Sequence, residues 1–129
     1  MAANIKPKNN QDAFDKVLKA IRKQGYQQSV DPLTETCIYR RPNGVRCAAG
    51  HLLPNSLYRK SMEGENISSL LMNFSSIRDY FSNVDGDILS ELQSTHDYTL
   101  CSGKHAWESK MKQIANFYNL IYTEPSKEI

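Results

Sequence analysis

The sequence predicts an α+β fold: a mostly helical single domain with a small antiparallel β-hairpin or sheet. Three observations predict it. Apolar residues recur at helical spacing through most of the chain. One segment, "TCIYRRPNGVRCA", sets two β-prone runs on either side of the turn-forming "RPNG". A length of 129 residues, 40% hydrophobic and 23% charged, fits one globular domain.

Taken in order, residues 1–9 read as a polar, flexible leader, 10–123 as the domain and 124–129 as a tail. Asn10 is the expected N-cap of the first helix, with Asp12 in its first turn. Phe14, Val17, Leu18 and Ile21 give that helix one apolar face, and Gly25 ends it. "YQQSVDPLTE" is a polar connector broken at Asp31-Pro32. "TCIYR" and "VRCA" form the expected hairpin. A Pro42-Asn43-Gly44 loop would set Tyr39 opposite Cys47, whereas a two-residue Asn43-Gly44 turn shifts the register by one.

"AAGHLL" bends into a short helix limited by Pro54. Asn66 caps a helix carrying Ile67, Leu70, Leu71 and Phe74. Ser75 or Ser76 restarts the chain with Ile77, Tyr80, Phe81 and Val84 inward. Asp85 or Asp87 caps a helix with Ile88, Leu89 and Leu92. The last helix carries Trp107, Met111, Ile114, Ala115 and Tyr118, and "LIYTE" is expected to add a short terminal strand.

A net charge of +2 is too small to point to nucleic acid by itself. Arg40, Arg41, Arg46, Arg59 and Lys60 lie mid-chain, and Asp79, Asp85, Asp87, Glu91 and Asp97 follow. No apolar run approaches the ~20 residues of a membrane helix. "MAANIKPKNN" lacks the apolar core of a secretory signal, so a cytoplasmic location is expected. Three cysteines, an odd number, argue against a secreted disulfide framework.

The combination of "CIYRRPNGVRCAAGHLLP", "LQSTHD" and a tryptophan-led terminal helix resembles a group of small, uncharacterised proteins of tailed bacteriophages. Members carry a basic tyrosine–arginine hairpin, an "RCAAG"-like turn and a later histidine–aspartate pair. The resemblance spans roughly residues 11–122. It implies an accessory protein acting in the cytoplasm of an infected bacterium, and it brings no activity with it. Relatives often have cysteine where this chain has His51, and aspartate where it has Asn55. A histidine there keeps a metal ligand and removes a thiol nucleophile.

The cysteines and histidines fall into two groups: Cys37, Cys47 and His51, then His96, Cys101 and His105. Zinc would need four such ligands, but nine residues separate Cys37 from Cys47 instead of the two to four of a zinc knuckle. Packing as small buried hydrophobes is the plainer account. Cys47 precedes a helix start, and His51 or His96 with Asp97 could orient a thiol chemistry, yet no family motif surrounds it. Equally, His96 lies four residues after Leu92 and fits a core-edge histidine bonded to backbone.

A third reading sets Arg46 beside the open N–H groups of "CAAGH" as an anion site, with Arg40 and Arg41 extending it and Tyr39 stacking on a base. It is no P-loop, since the glycine spacing and the lysine are missing. Ala-Ala-Gly also permits close backbone packing. The reading that follows is non-enzymatic, with no cofactor or metal: an accessory protein that binds and modulates, by inhibition, a host protein or defence component. Its expected contacts are Tyr39, Arg40, Arg41, Arg46, His51, His96 and Asp97. The alternatives are nucleotide or nucleic-acid binding through the basic hairpin, and a zinc or Cys/His-dependent enzyme.

Overall fold

Asn9, one residue before the expected cap, starts the first helix: its side chain accepts the Asp12 N–H at 2.8 Å. The Asp12 carboxylate reaches back past the cap to the Lys8 N–H at 2.9 Å, which fixes the chain as it enters the helix. Helix α1 (Asn10–Lys23) buries Ala13, Phe14, Val17, Leu18 and Ile21. It ends where Gly25 takes a φ of 72°, a conformation glycine adopts without steric cost.

The structure, a computed structural model, describes residues 6–29, 38–40, 44–96 and 103–125. Residues 6–8, part of the expected leader, lie against the body: Pro7 is buried and Lys6 Nζ donates to Ser82 Oγ at 2.9 Å.

Five further helices follow: α2 (Ala48–Leu52), α3 (Ile67–Asn73), α4 (Ser75–Tyr80), α5 (Gly86–Ser94) and α6 (Lys104–Phe117), with a 3₁₀ turn at Lys60–Met62. The starts of α3 and α5 follow side-chain chemistry. Asn66 accepts from the Ser69 N–H, and Asp85 from the Asp87 N–H. Phe74, held extended, ends α3 and begins α4. Helix α5 packs against α1, α2, α3 and α6 and is the centre of the assembly. Ile88, Leu89 and Leu92 from α5 join Trp107 and Met111 from α6 in one core, each at most 2% exposed. Burying each such side chain contributes roughly 1.5–3 kcal/mol.

The α+β class is corrected by the structure. The described residues are mostly helical and hold no β-strand. Of the expected hairpin, one isolated antiparallel bridge remains, Arg40 to Arg46. Its register is the one a Pro42–Gly44 loop would set, but Arg41, Pro42 and Asn43 lie outside the described residues, as does Cys37.

The ladder stops for two physical reasons. The N–H groups of Tyr39 and Arg40 donate to the Glu63 carboxylate, at 2.8 and 3.3 Å, and are spent there instead of on a neighbouring strand. On the other side, Cys47 caps α2, so the chain is helical from Ala48 and "VRCA" cannot extend. No strand forms at "LIYTE" either. The Ile121 N–H and carbonyl both bond to the Gln11 side chain, at 2.7 and 2.9 Å. Among the described residues no helix is long and apolar enough to cross a membrane.

Candidate functional site

The corner between α1 and α2 is built around Gln24. Its side-chain nitrogen donates to the carbonyls of Gln27 and Arg46, at 2.9 and 2.8 Å. Its oxygen accepts the Arg46 N–H at 3.2 Å and lies 2.7 Å from His51 Nε2. With the amide orientation set by two carbonyls, His51 Nε2 carries a proton and donates it. Burial, then the charges of Arg46 and Arg40, push the His51 pKa down to about 4, so the ring is neutral.

The start of α2 is closed. Cys47 is fully buried and its Sγ accepts the Gly50 N–H at 3.4 Å. The Ala49 N–H donates to Gln93 Oε1 of α5 at 2.9 Å. The Ala49 and Gly50 N–H groups, on which an anion site would depend, are therefore consumed inside the protein. Gly50 serves close packing: a Cβ there would stand 2.0 Å from the Tyr39 carbonyl oxygen.

Tyr39 is 4% exposed and its hydroxyl donates to the Glu65 carbonyl, so its ring offers no face to a base. Arg40 brackets the segment after α2. Its guanidinium donates to Leu53 O at 2.7 Å and to Asn55 Oδ1 at 2.8 Å, and lies 4.4 Å from the Tyr58 ring centroid. Burial, and then Arg46, lower its pKa. Tyr58 in turn donates to Glu63 Oε2 at 2.6 Å, and burial followed by that bond pushes it up to about 12. Arg46 is half-buried beside this group. Arg41 lies outside the described residues.

His96, at the end of α5, is wholly buried and accepts the Ser29 backbone N–H through Nε2 at 3.1 Å. Its proton therefore sits on Nδ1, which has no hydrogen-bond partner among the described residues. Burial first, then His51, lower its pKa to about 4. His105 is exposed on α6, whereas His96 is buried. Asp97 and Cys101 lie outside the described residues. Among the described residues no three His, Cys, Asp or Glu side chains form a metal-binding group.

What the corner presents outward is cationic. Lys16, Lys19 and Lys23 recur at i, i+3 and i+7 on α1 and line a groove of about 300 Å³ with His51, Leu52 and Tyr80. Lys19 and Lys23 also line a second groove, of about 730 Å³, with Asp15, Arg22 and, from α6, Lys104. Neither Lys19 nor Lys23 forms an ion pair among the described residues. The signal for this ridge was the helical spacing of the three lysines, overshadowed by the mid-chain arginines.

A second polar cluster was missed as well. Glu108 accepts from Arg22 Nε and Nη2, both at 2.8 Å, from Tyr26 at 2.8 Å and from Tyr122 at 2.5 Å. Burial alone would raise the Glu108 pKa, but the bonds from Arg22, Tyr122 and Tyr26 outweigh it and hold the carboxyl low. The group ties α1 to α6 and the C-terminal segment.

No protein-family model matches the chain, and neither a curated protein nor a solved structure matches it.

Proposed function

We propose that this chain is a non-enzymatic accessory protein of a tailed bacteriophage, which binds a host protein or defence component in the infected cell's cytoplasm and inhibits it. The sequence resemblance supports the phage setting. One observation carries the binding surface: Lys16, Lys19 and Lys23 stand along one groove, while the polar groups around it are engaged within the fold. A row of ammonium groups fits an anionic partner and speeds encounter with it.

The test is a pull-down from bacterial lysate with wild type and a Lys19→Glu/Lys23→Glu variant. A partner held by the first and lost by the second supports the surface; identical partner lists overturn it. Arg40→Glu is a poor substitute, because Arg40 holds Leu53 and Asn55 and its loss disturbs the fold itself.

A phosphate-bearing ligand is the second reading, favoured by the same three lysines on one groove. Calorimetric titration with nucleotides and oligonucleotides at two salt concentrations separates it, since binding to several phosphates weakens steeply with salt.

A further inference from the structure

The groove of about 300 Å³ beside α1 holds an acceptor as well as cations. His51 lines it together with Lys16, Lys19 and Lys23, and among the described residues no carboxylate does. Gln24 fixes the ring, because Nε2 carries the proton and donates it to Gln24 Oε1 at 2.7 Å. Burial, and then Arg46 and Arg40, keep the imidazole neutral at pH 7. Nδ1 is therefore a lone pair that can only accept. It accepts no hydrogen bond among the described residues and is not sealed off from solvent.

An occupant that suits both features is anionic toward α1 and a hydrogen-bond donor toward α2. We propose that this groove takes an extended acidic peptide segment of the partner, with carboxylates on Lys19 and Lys23 and one backbone N–H on His51 Nδ1. The inference rests on the reading of the lysine ridge as the binding surface and names the chemistry that fills it. Lys19 and Lys23, four residues apart, are separated by about 6 Å along the helix. Side chains on one face of an extended chain repeat at about 6.6 Å, a close match. The phosphates of a nucleic acid would also meet the ammonium groups, but they bring acceptors only. One of them beside His51 would set lone pair against lone pair. A peptide carries an N–H donor at every residue except proline, so it satisfies lysines and histidine together.

Nuclear magnetic resonance titration tests it with a short oligoglutamate, the same peptide N-methylated along its backbone, and a single-stranded DNA oligonucleotide of equal charge. The plain peptide is expected to bind and to shift the His51 resonances. Lys19→Glu/Lys23→Glu should weaken it about tenfold, because two attractions become repulsions. N-methylation should weaken it about threefold or more, the loss of one hydrogen bond. In His51→Phe the two peptides should bind alike, which separates the lost bond from any change in peptide shape. Should that variant fail to fold by circular dichroism, the wild-type comparison of peptide with DNA still decides. DNA that binds as tightly as the peptide overturns the proposal. So does a peptide indifferent to the lysine reversal, or an N-methylated peptide as good as the plain one. Lysate capture is a separate readout: a partner held through Lys19 and Lys23 that oligoglutamate cannot displace overturns the peptide inference and leaves the binding surface standing.

Discussion

Gly50 lies against Tyr39 so closely that a Cβ on it would stand 2.0 Å from the Tyr39 carbonyl oxygen and 2.9 Å from its carbonyl carbon. Both are backbone atoms, which cannot swing aside as the end of a side chain can. Gly50→Ala is expected to destabilise the protein by about 2 kcal/mol or more, as overpacking a filled interior does, despite alanine's better helix propensity. Urea unfolding measures it; an unchanged or higher midpoint would contradict the close approach.

Gln24 serves two carbonyls, one backbone N–H and His51. Gln24→Leu preserves much of the volume and leaves those groups unpaired. A loss of about 2–3 kcal/mol is expected, the desolvation cost of stranded polar groups. Gln24→Ala should cost no less. If Gln24→Leu unfolds at the wild-type midpoint, solvent already serves these groups and the hub is not structural.

His51 and His96 both have pKa values lowered to about 4 in the fold, against 6.5 for an ordinary imidazole. Between those values the unfolded chain binds more protons, so stability is full above about 6.5 and falls as pH drops toward 4. Each contributes at most about 1.4 kcal/mol per pH unit, and half-buried His51 contributes less. Protonation of His96 also removes the acceptor of the Ser29 N–H. Unfolding free energies at pH 7 and pH 5 should differ, and His96→Gln should shrink the difference. A variant as acid-sensitive as wild type would assign the loss to other groups.

Glu108 and Arg22 are 12% and 19% exposed at their side chains, with two hydrogen bonds between them. Glu108→Ala strands Arg22 and two tyrosine hydroxyls, at an expected cost of about 3 kcal/mol. Arg22→Lys cannot restore the two-pronged contact and should recover little. Lys112 and Glu124, 3.8 Å apart and 67% and 73% exposed, provide the contrast: Lys112→Ala should leave the thermal midpoint unmoved. Equal effects of the two substitutions would refute this ranking.

Local chemistry made the helices legible. The apolar spacing of α1 and α6, the caps at Asn66 and Asp85 and the stop at Gly25 all act within a few residues, so sequence alone determined them. The hairpin was a different matter. Tyr39 and Arg40 suit a strand by type, but whether their N–H groups meet a second strand depends on what the fold brings near. It brings Glu63, twenty-four residues beyond Tyr39. The arginines likewise looked like a surface, yet Arg40 is turned onto Leu53, Asn55 and Tyr58 by contacts that spacing does not encode.

What the sequence by itself determined is where the helices lie, to within a residue or two at their ends, because capping and periodicity are short-range. Tertiary structure alone decided which polar residues turn inward. His51 and His96 became neutral interior groups, and Lys19 and Lys23 became a ridge, because the packing of α1 against α2 and α5 sets which faces meet water.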